Sequence, residues 1–283
     1  MRDLSSLQAA VPEQAVLVNL AAEHHDNVSP KSLYDEVNVA GADNICRIAR
    51  EKKINHIVFT SSVAVYGFVP SGTDEKGSIN YFNDYGRTKW LAEEIYRAWH
   101  AEAPSERTLV IIRPAVVFGE RNRGNVYNLL NQMARGKFLM VGNGKNRKSM
   151  AYVENVAAFL EYALLFSPGI HLYNYADKPD FDMNSLVSHV SGVLGKKNSL
   201  RFRLPFAAGM AAGYIFDFLS LLSGKKFTIS SIRVKKFCAE TCFETRVSEC
   251  GFIPPVKIED ALLKTIRYEF IDKNSDMELF YSE

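Results

Sequence analysis

No glycine stands in the first forty residues of this 283-residue chain; the first is Gly41. A glycine-rich strand-to-helix turn, which lets backbone N–H groups crowd onto a pyrophosphate, is therefore excluded from that stretch. Cysteine is scarce: Cys46, Cys238, Cys242 and Cys250 are scattered, and the last three lack paired zinc spacing. Neither a disulfide framework nor a metal centre is expected, and the thiols read as reduced. Neither sign of charge dominates, with 34 Lys and Arg against 32 Asp and Glu, so nothing in the balance points to nucleic acid. The opening Met1-Arg2-Asp3-Leu4 is not a secretory signal, and the cytoplasm is the expected compartment. The longest apolar run, Pro205 to Leu222, is interrupted by glycines, carries Asp217 and is followed by Lys225 and Lys226. A spanning helix wants about 20 apolar residues free of a central charge. A buried or interfacial helix is expected there, and no transmembrane span.

What remains is an ordinary globular composition, 47% hydrophobic and 23% charged, long enough for a large core. Asp3 to Val11 reads as a short capped helix, and Ala15 to Leu20 as a strand. Ser32 to Lys53 reads as a long helix with Val37, Ile45 and Ile48 inward, and Ile54 to Ser62 as a strand. A helix from Tyr85 with an apolar stripe of Leu91, Ile95 and Trp99 follows, then a strand over Thr108 to Arg113. Such alternation predicts an α/β fold with a doubly wound parallel sheet. The loop from Phe68 to Asn80 has the length of a lid or binding loop.

Two features carry chemistry. Ser61 and Ser62 end a strand, where open α/β sheets present groups to a ligand. Tyr85 and Lys89 stand at i and i+4 on the next helix, so a phenol and an ammonium share a face. A tyrosine with a pKa near ~10 is a poor base at neutral pH, and lowering it to roughly 7 needs about 4 kcal/mol. A close lysine together with a cationic cofactor ring supplies that much. The phenolate then takes a proton from a C–OH as hydride leaves the same carbon, while Ser62 holds the oxygen.

Thr60-Ser61-Ser62-Val63-Ala64-Val65-Tyr66-Gly67, Tyr85-x-x-x-Lys89 and Arg113-Pro114-Ala115-Val116-Val117-Phe118-Gly119 together resemble the extended short-chain dehydrogenase/reductase family. Within it the chain is most similar to the NAD-dependent epimerase/dehydratase group acting on nucleotide sugars. Asn19-Leu20-Ala21-Ala22, Asn38-Val39-Ala40-Gly41, Tyr152-Val153-Glu154-Asn155-Val156 and Glu249-Cys250-Gly251-Phe252-Ile253-Pro254 fall in the family's order. The resemblance implies a Rossmann-like domain over residues 1–118, rejoined by 151–175, and a smaller substrate-binding domain over 119–150 and 176–283. It implies NAD as cofactor, with NADP the alternative, held by Ala21, Ala22, Asn38, Thr60, Ser61, Tyr85, Lys89 and Pro114. Asn38 falls where the family braces the active-site strand end. A nucleotide-sugar substrate would meet Glu23, His24, Ser62, Val63, Arg121, Asn125, Arg147 and Lys148, the cations pairing with its diphosphate. Relatives often carry Arg-Asp where Lys148-Ser149 stands. His24 and His25, adjacent on a loop, are expected to point apart and hold no metal. A homodimer through the catalytic helix and its neighbour is also implied.

The catalytic set is Ser62, Tyr85 and Lys89. Dehydratases of the family carry an acidic residue just after the serine; Val63 and Ala64 move no protons, which disfavours loss of water. A 4-epimerase that oxidises, turns and re-reduces its sugar is the leading reading. A 4-keto-sugar reductase and a 3β-hydroxysteroid dehydrogenase-like enzyme remain open, the apolar 205–222 run suiting a membrane-borne substrate. A non-enzymatic protein that cannot bind NAD is the reading from another class.

The resemblance also implies that two βα units ahead of Met1, on the order of 60 residues at ~30 each, are missing. The Ala15–Leu20 strand is then expected to show an unpaired apolar edge. The 283-residue chain is expected to bind NAD poorly; calorimetry finding micromolar affinity would contradict this.

Overall fold

The computed structural model describes residues 1–25, 28–196, 203–223, 230–272, 274 and 279. The chain opens with α1 (Leu4–Ala10), capped by the Asp3 carboxylate on the N–H groups of Ser5 and Ser6, and β1 (Val16–Asn19). Next come α2 (Ser32–Tyr34), a π-helical segment (Asp35–Val39) and α3 (Ala40–Glu51) as one continuous helix. After β2 (His56–Thr60) and a 3₁₀ turn (Val63–Tyr66) follow α4 (Asp84–Ala101), β3 (Thr108–Pro114) and β4 (Val116–Phe118). Then come α5 (Asn125–Ala134), β5 (Met140–Val141), β6 (Arg147–Tyr152), α6 (Val153–Tyr162), β7 (Gly169–Tyr175) and β8 (Asp177–Asp182). The chain continues through α7 (Met183–Val193), β9 (Arg203–Leu204), α8 (Phe206–Ser223), α9 (Ser231–Cys238) and α10 (Ile258–Phe270).

The main sheet runs β1-β2-β3-β7, parallel throughout, so its carboxyl ends share one side. Alternation along the strands divides the core. Ile57, Phe59, Leu109 and Ile111 meet Ile45 and Cys46 of α3 and Tyr96 and Trp99 of α4. Val58, Val110 and Ile112 on the opposite face meet Val156 and Phe159 of α6. Val16 and Val18, in register with His56 and Val58, are 44% and 41% exposed, and β1 ends the sheet among the described residues. A second sheet, β4-β6-β8, has an antiparallel β6–β8 pair and rests on a separate core from α5, α7 and α10, including Leu130, Leu186 and Leu262.

The buried stripe of α4 differs from the expected one. Leu91 and Ile95 are half-buried at its margin, while Thr88, Lys89, Ala92, Glu93, Tyr96 and Trp99 point inward. Burying Glu93 is offset by Arg113 of β3, which donates from Nε to Oε1 (2.8 Å) and from Nη2 to Oε2 (2.6 Å). Ser61 Oγ donates to the same carboxylate at 2.5 Å, and Arg113 Nη1 to Tyr66 Oη at 2.6 Å. The loop expected to be a lid is tied down. Gly72 N–H donates to Cys242 and Glu244 N–H to Thr73, and Glu75 accepts from the N–H groups of Asn174 and Arg246.

Both members of the Arg113–Glu93 pair are buried, so removing one strands the other. Arg113→Met is expected to cost about 3–5 kcal/mol in urea unfolding, and the double variant Arg113→Met/Glu93→Leu to recover most of it. A double loss equal to the sum of the single losses would show that the two groups are not coupled.

Candidate active site

The site is assembled where β1, β2 and β3 end. Ser62 caps the 3₁₀ turn, its Oγ accepting the Ala64 N–H at 3.1 Å. Asn83 caps α4 by accepting the Gly86 N–H at 2.9 Å, which places Tyr85 in the first turn. A Cβ on Gly86 would lie 2.5 Å from the Ala64 carbonyl oxygen, so only glycine lets α4 close onto the turn bearing Ser62. Across that contact the Tyr85 phenol is near enough to Ser62 to be influenced by its hydroxyl. Lys89, one turn further, is buried with its Nζ 4.4 Å from the centre of the Phe59 ring.

Electrostatics differ from the expected acidified phenol. Burial pushes the Tyr85 phenol above its ordinary range, with the Ser62 hydroxyl pulling the other way. Burial also pulls the Lys89 ammonium down to about 7, against the attraction of Glu93. Desolvation is the largest influence on both groups, Lys89 being buried and Tyr85 partly so.

Asn38 is buried and ties the loop after β1 to α4. Its Oδ1 accepts the Glu23 N–H at 2.7 Å, and its Nδ2 donates to the Glu23 carbonyl at 3.0 Å and to Thr88 Oγ1 at 2.9 Å. The π-helical segment presents this amide, and Arg87 anchors the segment through a bidentate pair with Asp35 at 2.9 and 2.7 Å. Ala21 follows directly on β1, its N–H bonded to Asn19 Oδ1, and Ala22 comes next. Ser61 is engaged with Glu93, and Pro114 closes β3 in register with Tyr175. Thr60 Oγ1 is buried and without a hydrogen-bond partner among the described residues.

The residues expected to meet substrate divide. Ser62 and Val63 lie at the site. One oxygen of the Glu23 carboxylate, Oε1, accepts from the N–H groups of His24 and His25 and meets the His25 ring. His24 and His25 do not point apart: their rings stack with centroids 4.4 Å apart. With Glu23 they put three possible metal-ligand atoms within 4.8 Å of one another, on an exposed loop whose carboxylate the turn already uses. Asn125 opens α5 and is exposed. Arg121 adopts φ +68 and donates its N–H to Glu269. Arg147 is paired with Glu240, and Lys148 donates to the carbonyls of Lys236 and Ala239 at the end of α9, burial pulling it down to about 8. The basic stretch thus fastens α9 to β6, since buried cations seek the nearest carbonyl oxygens.

Sequence reasoning missed Glu93, Arg87, Thr88 and the requirement for Gly86. The i+4 spacing from Lys89 to Glu93 was the available signal. Against NAD, the orphan Thr60 hydroxyl, Tyr85 and the Lys89 amine fit the polar nicotinamide–ribose end. The described residues contain no glycine-rich turn to cradle the pyrophosphate. A cleft of about 630 Å³ at the amino ends of β1 and β2, lined by Val16, Arg50, His56 and Arg107, lies away from this site.

Residues 1–175 match the NAD dependent epimerase/dehydratase family. An Escherichia coli O157:H7 protein described as N-acetyl-alpha-D-glucosaminyl-diphospho-ditrans,octacis-undecaprenol 4-epimerase is 50% identical over 100% of this chain and 86% of its own length. A decarboxylating sterol-4-alpha-carboxylate 3-dehydrogenase of Saccharomyces cerevisiae is 27% identical over 89% of this chain and 76% of its own. The crystal structure of a UDP-glucuronic acid 4-epimerase from Bacillus cereus in complex with NAD shares the fold. Its TM-score is 0.70 over 94% of this chain and 76% of that one, at 18% identity. The chain belongs to the NAD dependent epimerase/dehydratase family, a family of enzymes.

Lys89 yields a prediction with a definite sign. Between about pH 7 and its ordinary 10.5, the unfolded chain holds a proton on this group that the folded chain releases. Its contribution therefore improves as pH rises through that window, and its full cost is felt below it. Lys89→Met is expected to raise stability at pH 7 by on the order of a few kcal/mol and to flatten the rise toward pH 10. Denaturant midpoints at the two pH values check this.

Proposed function

We propose that this protein is an NAD-dependent 4-epimerase of a sugar linked through a diphosphate to a polyprenol carrier. The observation that carries the reading is that Ser62, at the end of β2, and Tyr85 and the buried Lys89, on one face of α4, come together at the sheet's carboxyl end. The E. coli relative, at 50% identity across the whole chain, supports the diphosphate-linked sugar and its carrier. The sterol dehydrogenase is a more distant relative by identity, so the steroid reading is the weaker one.

Ser62 Oγ holds the sugar O4, and Tyr85 Oη takes the O4 proton as the C4–H bond breaks. When bound, NAD would supply a reversible hydride acceptor for C4 and a cationic ring that favours the Tyr85 phenolate. Tyr85 gives the proton back, so the enzyme ends as it began. Burial disfavours both the phenolate and the Lys89 ammonium in the chain itself, so the ammonium would support the phenolate once a negative charge forms beside it. Val63 and Ala64, in the turn after Ser62, offer no acid or base for removing water at C5 and C6. Residues 1–118 with 151–175 serve the cofactor, and 119–150 with 176–283 the sugar and its diphosphate.

With saturating NAD, Tyr85→Phe is expected to lower turnover about 10²–10⁴-fold while sugar binding persists. C4 inversion followed by NMR measures it, and near-normal turnover would remove Tyr85 as the base.

A further inference from the structure

The apolar run of the sequence folds as α8, whose arrangement is inside out. Its protein-facing side is small and polar. A Cβ on Gly209 would lie 2.7 Å from Val141 Cγ1, and one on Gly213 2.7 Å from the Ser231 backbone. Asp217, two turns beyond Gly209, accepts from Ser231 N–H at 3.1 Å and Oγ at 2.5 Å. The large apolar side chains face outward: Tyr214, Ile215 and Phe218 are 60% exposed or more, and Leu221 and Leu222 are 81% and 68% exposed. A surface helix of a water-soluble protein does the opposite, and so contiguous a patch marks a contact surface. Among the described residues, α8 is the one helix long and apolar enough to cross a membrane, and only 11% of it is buried.

We propose that α8 and α9 dock this protein on an anionic lipid bilayer, with α8 lying along the interface. Its outer face enters the acyl boundary while α9 meets the headgroups. Charge favours this partner. Arg233 and Lys235 are exposed on α9, which packs against α8 through Gly213 and Ser231. Symmetric pairing of two copies through α8 would bring two sets of these cations together, whereas an anionic surface neutralises them. The helix does not span, because its glycine side and Asp217 are committed to the rest of the protein.

The surface is continuous with the active site. Lys235 Nζ lies 5.6 Å from the Phe68 ring and Lys236 Nζ 4.7 Å from the Phe82 ring. These exposed rings stand 4.8 Å apart; Phe68 follows the turn that bears Ser62, and Phe82 precedes the cap of α4. A sugar diphosphate anchored in the bilayer would thus be met at the membrane surface. This deepens the polyprenol reading above and rests on it, yet binding to lipid is measured without turnover.

The test is co-sedimentation of the 283-residue protein with vesicles of phosphatidylglycerol and phosphatidylcholine in about equal parts, and of phosphatidylcholine alone. The protein is expected to sediment with the anionic vesicles. Ile215→Ser/Phe218→Ser/Leu222→Ser is expected to lower the bound fraction at least about ten-fold with an unchanged melting temperature, since these side chains are exposed. Arg233→Glu/Lys235→Glu is expected to abolish the preference for anionic vesicles. Protein left in the supernatant with both vesicle types overturns the proposal. So does a dimer that the triple variant converts to monomer with no lipid binding by either form. Absence of C4 inversion on a detergent-dispersed substrate with NAD supplied would instead count against the catalytic reading.

Discussion

The fork of Arg113 around Glu93 is the contact on which the rest of the site depends. Two parallel hydrogen bonds from a strand in the middle of the sheet fix both the height and the rotation of α4. Tyr85 and Lys89 stand two turns and one turn before Glu93 on the same side of that helix. Their placement over the end of β2 is therefore set from the sheet rather than from the loops. Ser61 and Tyr66 complete the network, so the strand end that carries Ser62 is tied to the same carboxylate. An apolar plug could fill the space, but it would not select one rotation of the helix.

A cost accompanies the arrangement. Bringing an amine and a phenol out of water disfavours both charged forms, and the directions at Lys89 and Tyr85 show burial prevailing. Glu93 supplies the nearest opposite charge to Lys89, but its oxygens are shared among Arg113, Ser61 and Arg97. The amine is left close to the point where a small change in its surroundings alters its proton. That balance suits a site whose own groups begin and end each cycle unchanged.

Much of the architecture was legible in the chain. Alternating strands and helices gave the parallel sheet, because strands covered on both faces read as apolar runs bounded by turns. That Ser62, Tyr85 and Lys89 would come together at the end of β2 was legible in their spacing. The buried face of α4 was not, since it contains Thr88, Lys89 and Glu93, and a hydrophobic pattern looks past charges whose partners lie on another element. The antiparallel β8 escaped notice because Asp177, Lys178, Pro179 and Asp180 carry little strand character, and pairing with β6 overrides that preference. The sequence shows the charges of Arg147 and Lys148 but not the Glu240 carboxylate and α9 carbonyls they engage in the folded chain. Helix α8 was recognisable by composition. Which side faces water could be read only from where Gly209 and Gly213 pack.

The π-helical segment at Asp35–Val39 has a consequence for how this protein can vary. Each helical residue turns the side chains beyond it by about 100°. Removing one residue to restore a regular helix would swing Asn38 away from either Thr88 or the Glu23 backbone, because both partners are fixed on separate elements. The segment therefore acts as a gauge of length. Substitutions on its exposed side, such as at Glu36, leave the gauge intact, while a single deletion there detaches the loop after β1 from α4.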